Sequence, residues 1–287
     1  MSRFLIFIIW MALTIPCSSQ QSYSPDYMLP TLFNDDGDDF VVIAHRGASA
    51  YFPENTMAAF KGALEMNAEM IELDVMLSKD GVPVVFHDAV LEDHTNGSGE
   101  LSDYTLDELK QLDAGSWFSK EFAGEKIPTL EQVLAFARGK IALNIEIKTE
   151  AVSDEVKGGV EEKSLALVKE YGMQDHVLFS SFDYRAITHL KQLDPSIPAA
   201  LLYNNRSSNK LLPSQLVSQY KADAFNCSYQ QLNRKRLRDI RLNSIPVFVY
   251  TVNQKRRMKK LVQLGVSGIF SDKPDLLRQV AEKVREK

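Results

Sequence analysis

The chain has few cysteines, no long apolar run and no excess of basic residues. Its two cysteines are Cys17 and Cys227. Removal of an N-terminal signal near residue 17 would leave at most Cys227 in the folded part, so no intramolecular disulfide is expected. The formal charge of −5 argues against a general nucleic-acid binder, which needs a strongly basic face. The fold must stand on its hydrophobic core, and 287 residues can build a large one.

The N-terminus has the layout of a secretory signal peptide, predicted at residues 1–19. Arg3 precedes an apolar run from Phe4 to Leu13, which is too short to span a bilayer as a mature helix. We therefore expect an exported protein, periplasmic or extracellular. In the alternative, Cys17 becomes a lipid-modified N-terminus, although Pro16 is not the small residue that such signals prefer. Residues 20–39 are polar and end in acids, which is typical of a linker before a domain at 40–287.

Short β-rich runs alternate with amphipathic stretches from residue 40 onward, the pattern of a parallel α/β fold. Eight strand–helix units over roughly 250 residues match a TIM (β/α)8 barrel, with an open doubly wound sheet as the alternative. The predicted strands are Val41–Ala44, Met70–Val75, Ile141–Ile147, Val177–Ser180, Ala199–Leu202, Ala222–Phe225, Val247–Thr251 and Gly268–Phe270. The predicted helices include Thr56–Asn67, Leu130–Arg138, Glu161–Tyr171, Tyr184–Leu193, Arg234–Leu242, Gln254–Leu264 and Asp275–Glu286.

The alternation is interrupted between the second and third barrel strands. Lys79-Asp80-Gly81 predicts a hairpin turn, after which the chain runs back antiparallel and brings His87 roughly opposite Glu72. Residues 88–127 then form a polar insertion. We expect it to cap the carboxyl-end mouth of the barrel, where such folds place their sites.

Acidic side chains on two of these strands predict a metal site. Glu72 and Asp74 lie two residues apart, so both point to one face, with Cα atoms roughly 6.6 Å apart. Asn144, Glu146 and Lys148 share a face in the same way. Three close carboxylates would repel by about 4 kcal/mol per pair, which one divalent cation relieves, and all-oxygen ligands favour Mg²⁺ or Ca²⁺. The alternative is that each acid pairs with its own Lys or Arg as a structural ion.

Two histidines near these acids suit phosphoester chemistry. His45 and His87 can serve as base and acid on opposite sides of a phosphorus atom. Arg46 can grip the phosphate in a bidentate fork, and Lys148 adds a point charge. With the cation the site carries about +1, which matches a singly charged phosphodiester.

The other histidines and the basic helices have more ordinary interpretations. His94 is expected to be solvated, and His176 and His189 adjoin or occupy core elements without an acidic cluster nearby. The basic runs 234–241 and 255–260 are interpreted as solvated helix faces, with an anionic membrane surface as the alternative.

Six short motifs follow one another along the chain: His45-Arg46-Gly47, Pro53-Glu54-Asn55-Thr56, Glu72-Leu73-Asp74, Lys79-Asp80-Gly81, His87-Asp88 and Asn144-Ile145-Glu146-Ile147-Lys148. In this order they resemble the motif set of the glycerophosphodiester phosphodiesterase family. The resemblance covers Val41 to Leu277 and implies a TIM barrel with the insertion described, hydrolysing deacylated phospholipids such as glycerophosphocholine to glycerol 3-phosphate and an alcohol. It also implies metal ligation by Glu72, Asp74 and Glu146, acid/base roles for His45 and His87, phosphate binding by Arg46 and assistance from Lys148.

Two alternatives to this function remain open at the level of sequence. A lysophospholipase D would need an apolar trough at the mouth, which Trp117, Phe118 and Phe122 could supply. A non-catalytic surface-binding barrel would keep the shape without the chemistry.

The family often has Trp and Thr where this chain has Tyr250 and Ser271, and these two differences bear on which alcohol group the site selects. The expected partner is a small glycerophosphodiester, with peripheral or lipid-anchored membrane association left open and no indication of an oligomeric state.

Overall fold

The computed structural model describes residues 40–286, which form a closed barrel of parallel strands. The first strand pairs with both the second and the last, so the ring closes with eight parallel strands, and one short strand lies outside it. The predicted TIM barrel is confirmed, and the open doubly wound sheet is wrong. The strands are β1 (Val41–Ala44), β2 (Met70–Leu77), β3 (Pro83–Val85), β4 (Ala142–Ile147), β5 (Val177–Ser181), β6 (Ala199–Leu202), β7 (Ala224–Ser228), β8 (Val247–Tyr250) and β9 (Gly268–Ser271).

Helices follow the barrel strands and cover their outer faces. The seven helices predicted by periodicity are present within one or two residues at each end, whereas α6 was not predicted. The apolar residues of α6, Pro213, Leu216, Val217 and Tyr220, do follow helical spacing, so this helix could have been predicted from the sequence. The short helix α2 was not predicted either. The helices are α1 (Met57–Glu65), α2 (Leu106–Leu109), α3 (Leu130–Ala137), α4 (Val160–Glu170), α5 (Tyr184–Leu193), α6 (Pro213–Tyr220), α7 (Arg234–Leu242), α8 (Lys255–Gln263) and α9 (Pro274–Arg285).

The lower part of the barrel interior is filled by apolar side chains. Alternate residues of the strands point inward, and those nearest the amino-terminal ends form one packed cluster. A second, larger core lies between the strands and the helices. The interior is therefore open to polar side chains only towards the carboxyl ends of the strands. The inner cluster consists of Val41, Ile43, Met70, Ala142, Leu178, Ala200, Ala224, Phe248 and Phe270.

The insertion packs on the hairpin formed by β2 and β3. In this hairpin Val75 pairs with Val85, and the Phe86 N–H donates to the Asp74 carbonyl at 3.0 Å. Continuing that register would place His87 opposite Leu73, one residue from the position predicted. Residues 88–127 have a small core of their own that continues into the hairpin. Its buried members are Met76, Val84, Phe86, Leu91, Leu101, Leu109, Ala114 and Ile127.

The predicted signal peptide, the linker and Cys17 lie outside the described residues. Cys227 lies in the described part and is buried with a free thiol. None of the helices within residues 40–286 combines the length and the apolar character needed to cross a bilayer.

Candidate active site

Three carboxylates meet at the carboxyl end of the barrel, as the strand pattern predicts. The register of β2 against β4 pairs Glu72 with Asn144 and Asp74 with Glu146. Because these positions all point into the barrel, one oxygen of each acid lies within 4.8 Å of the others. The triad of Glu72, Asp74 and Glu146 is thus assembled by two neighbouring parallel strands.

The three acids differ in how far basic groups neutralise them. Burial, then the charges of Asp74 and Glu146, raise the pKa of Glu72 well above its ordinary value. Burial and Asp74 raise the pKa of Glu146 to about 7, although Lys148 Nζ lies 3.2 Å from its Oε1. Burial acts in the same direction on Asp74, but Lys148 and Arg46 outweigh it, so the pKa of Asp74 falls. The ionised form of Asp74 is therefore stabilised by its basic neighbours. The ionised forms of Glu72 and Glu146 are not, and a further cation would stabilise them.

The remaining contacts of the triad fit a hard divalent ion. Glu72 accepts the Arg46 backbone N–H at 2.8 Å. The His45 imidazole lies 4.0 Å from Glu72, and no Lys or Arg side chain of residues 40–286 forms an ion pair with this acid. The Asn144 amide donates to Ser180 Oγ at 2.7 Å, while its buried Oδ1 has no hydrogen-bond partner. Oxygen donors that are both buried and unsatisfied are what Mg²⁺ or Ca²⁺ coordinates. These residues therefore fit one divalent cation, and the alternative of three separate ion pairs does not account for Glu72.

A tight turn after β1 positions the basic side chain. Arg46 has a left-handed φ of 53°, which directs its backbone N–H to Glu72. Its guanidinium Nη1 donates to Glu54 at 2.7 Å, and its Nε lies 3.4 Å from Asp74. Gly47 follows with φ 82°, and a Cβ there would lie 2.7 Å from Ala59. Only glycine fits this position.

Glu54 and Asn55 act on the site rather than on the first helix. The N-cap of α1 is Thr56, whose Oγ1 accepts the Ala59 N–H at 3.3 Å. Asn55 instead donates to Asp74 Oδ2 at 2.9 Å and accepts the Asp74 N–H at 3.3 Å. Glu54 does orient Arg46, and Asn55 holds Asp74, which was not foreseen.

His45 is oriented by a carboxylate from the far end of the chain. Its Nδ1 lies 2.7 Å from Asp272 Oδ1, and its Nε2 lies 4.0 Å from Glu72. Ser49 Oγ donates to Asp272 at 3.2 Å, and the Asn253 amide donates to its other oxygen. Burial raises the pKa of Asp272, but His45, Asn253 and Ser49 lower it by more. Sequence reasoning missed Asp272; its place directly after β9 was the available signal.

His87 belongs to a second, longer hydrogen-bonded group. Its Nδ1 lies 2.6 Å from Asp88 Oδ1, and His94 Nδ1 lies 2.5 Å from Asp88 Oδ2. The His94 ring meets Trp117 edge-on, with centroids 4.4 Å apart. Burial raises the pKa of Asp88, yet the hydrogen bonds of both histidines lower it by more. The expectation that His94 is solvated is therefore wrong, because its side chain is 22% exposed and bonded inward.

The predicted residues surround one cavity of about 190 Å³. Asp74 lies buried beneath it, and the other six predicted residues line it: His45, Arg46, Glu72, His87, Glu146 and Lys148. Phe182, Leu202 and Tyr250 form part of the opposite wall. The Tyr250 ring also packs edge-on against Phe270, so it serves both as wall and as barrel packing. A larger cavity of about 480 Å³ involves Lys140 and Arg278 and none of the predicted site residues.

His189 occupies a core helix, as its sequence interpretation expects. Its Nδ1 lies 3.0 Å from Glu161 Oε1, and both side chains are buried between α4 and α5. One acid, Glu161, contacts the ring, rather than a cluster of acids such as a metal site would need. This pair does not line the cavity.

Comparison with known proteins assigns the family. The profile of the glycerophosphoryl diester phosphodiesterase family matches residues 45–276. A glycerophosphodiester phosphodiesterase from Caldanaerobacter subterraneus subsp. tengcongensis is 38% identical over 244 residues, covering 85% of this chain and 98% of the relative. One from Bacillus subtilis is 36% identical over 259 residues, covering 85% and 87%.

The fold agrees with solved structures of such enzymes. An Oleispira antarctica phosphodiesterase in complex with the product sn-glycerol-3-phosphate superimposes with a TM-score of 0.77 at 32% identity, covering 84% of this chain and 96% of that one. A glycerophosphodiester phosphodiesterase from Agrobacterium tumefaciens gives 0.74 at 29% identity, covering 84% and 99%. The chain belongs to the glycerophosphoryl diester phosphodiesterase family of enzymes.

Proposed function

We propose that the protein hydrolyses glycerophosphodiesters to sn-glycerol 3-phosphate and an alcohol, with one Ca²⁺ or Mg²⁺ and with His45 and His87 as the acid/base pair. The observation that carries this proposal is the presence of two imidazoles on the cavity of the acidic triad, each bonded to its own carboxylate. The bound product of the Oleispira antarctica relative supports the choice of product.

The two histidines suit opposite proton transfers. With the His45 Nδ1–H donated to Asp272, the Nε2 of the neutral ring can accept a proton from the attacking hydroxyl. A protonated His87, bonded to Asp88 through Nδ1, can donate from Nε2 to the departing alkoxide. Each carboxylate fixes the orientation of its imidazole and stabilises the protonated form that it must adopt.

The charged residues suit a phosphodiester. Arg46 and Lys148 offset two of the three negative charges of Glu72, Asp74 and Glu146. A bound divalent cation would bring the site to about +1, polarise the non-bridging phosphate oxygens and lower the pKa of the hydroxyl it contacts. Glu54 holds the Arg46 guanidinium at the cavity, where it can bind the phosphate.

Two routes are open for the attacking group. It is either water or the neighbouring glycerol hydroxyl of the substrate, which would pass through a cyclic phosphate. In H₂¹⁸O, accumulation of a cyclic glycerophosphate in the His87→Ala variant would support the second route. Direct entry of ¹⁸O into the product phosphate without a cyclic species would refute it.

The alternative functions receive less support. Phe118 packs against Trp117 and Phe122, with ring centroids 5.6 and 5.7 Å away. These three rings therefore pack on one another instead of lining an apolar trough for an acyl chain. A non-catalytic barrel would not need the two carboxylate-bonded imidazoles. No observation favours either alternative over glycerophosphodiester hydrolysis.

The decisive experiment is product analysis on a substrate panel. Glycerophosphocholine, glycerophosphoethanolamine and lysophosphatidylcholine would be assayed with EDTA and with Ca²⁺ or Mg²⁺ added back. His45→Asn and His87→Asn should each lower kcat by about 10²–10⁴-fold, as expected for loss of a general acid or base. His176→Asn, at a histidine that does not line the cavity, is the matched control. Full activity in EDTA, or in His45→Asn, would refute the proposal.

A further inference from the structure

Basic residues are concentrated in two neighbouring helices of an acidic protein. Helices α7 and α8 contain ten of the 33 basic residues and one of the 38 acidic residues, Asp239. The rest of the chain is therefore far more acidic than its net charge of −5 suggests. Eight of the ten cations are exposed, and we call them the basic face: Arg234, Lys235, Arg238, Arg241, Lys255, Arg256, Lys259 and Lys260.

Within residues 40–286, no carboxylate forms an ion pair with this basic face. The ion pairs found within residues 40–286 involve other cations, such as Lys169 and Arg185, and none from α7 or α8. Asp239 turns away to accept from the Ser214 N–H and hydroxyl at 2.8 and 2.9 Å. Like charges three or four residues apart destabilise a helix by about 0.2–0.5 kcal/mol per pair. A face that served only for solubility would mix both signs, so the arrangement points to an anionic partner.

The two helices present their charges as one continuous surface. They follow β7 and β8, which pair directly, so they lie side by side on the barrel. The Arg241 guanidinium donates to the Leu264 carbonyl just after α8 at 2.7 Å. The Tyr229 ring, in the loop between β7 and α7, lies 5.0 Å from the Arg257 guanidinium and 5.9 Å from Lys260 Nζ, both on α8. Because both helices start at the mouth, the surface extends from the rim of the active site down the barrel.

An exposed leucine decides which anionic partner fits. Leu242, the last residue of α7, is 73% exposed and follows Arg241 directly. A nucleic acid backbone gives an exposed aliphatic side chain no apolar layer to enter, whereas a bilayer interface accepts cations at its headgroups and an apolar tip below them. We propose that the basic face and Leu242 dock the protein on an anionic phospholipid bilayer, with the barrel lying on its side.

Vesicle binding by the full chain tests this proposal. Co-sedimentation would compare phosphatidylcholine vesicles with vesicles containing 30% phosphatidylglycerol at about 0.1 M salt. Each removed cation should weaken binding to the anionic vesicles roughly fivefold, so a triple variant should lose about 100-fold. The test variant carries Arg238→Gln, Lys255→Gln and Lys259→Gln. The control removes the same charge from exposed lysines on other faces: Lys61→Gln, Lys120→Gln and Lys157→Gln.

The outcomes separate docking from catalysis and from other polyanions. Both triple variants should hydrolyse a soluble glycerophosphodiester at the parent rate, and Leu242→Ser should weaken vesicle binding several-fold. Equal binding to both vesicle types, or equal losses in the two triple variants, would overturn the proposal. Tighter binding to a 20-nucleotide DNA than to vesicles, unchanged by Leu242→Ser, would overturn it in favour of a nucleic acid.

A second inference concerns His94 and rests on the proposed role of His87. Asp88 holds both imidazoles, through Oδ1 at 2.6 Å and Oδ2 at 2.5 Å. His94 also packs on Trp117 of the insertion. A chain of contacts therefore runs from the insertion through His94 and Asp88 to His87 at the cavity. We infer that His94 is a positioning residue, which holds Asp88 in the orientation that His87 needs in order to donate its proton.

A pair of substrates distinguishes this role from a structural one. Choline is a poor leaving group that needs a proton, whereas p-nitrophenol leaves without one. His94→Phe keeps a ring against Trp117 but cannot bond Asp88. It should lower kcat about 10- to 100-fold for glycerophosphocholine and leave kcat for a p-nitrophenyl phosphodiester nearly unchanged. His94→Gln, which can still donate to Asp88, should recover part of the loss.

His87→Asn tells the two failures apart. If His87→Asn also affects both substrates equally, the proposed acid role of His87 is wrong. If His87→Asn is selective for glycerophosphocholine but His94→Phe lowers both rates equally or neither, only the inference about His94 is overturned.

Discussion

Replacing one acid of the triad should stabilise the metal-free protein while removing its response to metal. Burial and the charge of Asp74 raise the pKa of Glu146 from 4.5 to about 7. The folded state thus holds this proton more tightly than the unfolded state, and the associated stability is lost as the pH rises from 4.5 to 7. At 1.36 kcal/mol per pKa unit, an ionised Glu146 costs about 3 kcal/mol above pH 7. Its side chain is only 12% exposed, so solvent screens little of this.

Glu146→Gln removes that cost, and with it the ion pair between Glu146 and Lys148. Lys148 still has an acidic partner, because its Nζ lies 3.4 Å from Asp74. In EDTA at pH 7.5 we expect the variant to be about 2–3 kcal/mol more stable, or roughly 5–10 °C higher in Tm. At pH 5 the difference should shrink by about 2 kcal/mol, because Glu146 is then protonated in the folded parent. With Ca²⁺ or Mg²⁺ the order should reverse, since only the parent keeps all three acids.

Urea unfolding at pH 5 and pH 7.5, in EDTA and in each metal, measures these differences. Glu150→Gln, at an exposed acid four residues further on, is the matched control and should change little at either pH. A Glu146→Gln protein less stable than the parent in EDTA at pH 7.5 would refute the reasoning. So would an equal metal-induced stabilisation of the variant and the parent.

Four further outcomes follow from the same contacts. Asp272→Asn should lower kcat about 10- to 100-fold with little change in KM, because the variant loosens the orientation of His45. Steady-state kinetics on glycerophosphocholine measures both constants, and a changed KM would show instead that Asp272 acts on substrate binding. Arg46→Lys should raise KM about tenfold by removing the bidentate fork, an expectation refuted by parent kinetics. Gly47→Ala should destabilise by more than about 2 kcal/mol in urea unfolding, since its Cβ would lie 2.7 Å from Ala59 at a left-handed φ. Export through residues 1–19 stays a prediction; N-terminal sequencing of the mature protein should find a start near residue 20, or a lipid on Cys17, and an intact Met1 would contradict both.

The sequence by itself determined the parallel α/β class and the identity of the triad. A side-chain period of two places Glu72 with Asp74, and Asn144 with Glu146, on one face of their strands whatever the rest of the chain does. The alternation of strands and helices likewise predicted a parallel sheet covered by helices, and the pairing of β1 with β9 decided that this sheet closes into a barrel. The errors of this prediction were local, such as strand β7, predicted at Ala222–Phe225 and found at Ala224–Ser228. Boundaries depend on which neighbour completes each hydrogen bond, which periodicity does not contain.

The tertiary structure decided which groups hold the site residues and how they are charged. His45 and Asp272 are 227 positions apart, and they meet because β1 pairs with β9 when the barrel closes. His94 reaches Asp88 only because the insertion folds back onto the hairpin. The unequal neutralisation of Glu72 and Asp74 also depends on where Arg46 and Lys148 lie in three dimensions. Electrostatic energy and hydrogen bonding depend on distance and burial, and both are set by packing between distant segments rather than by the order of residues.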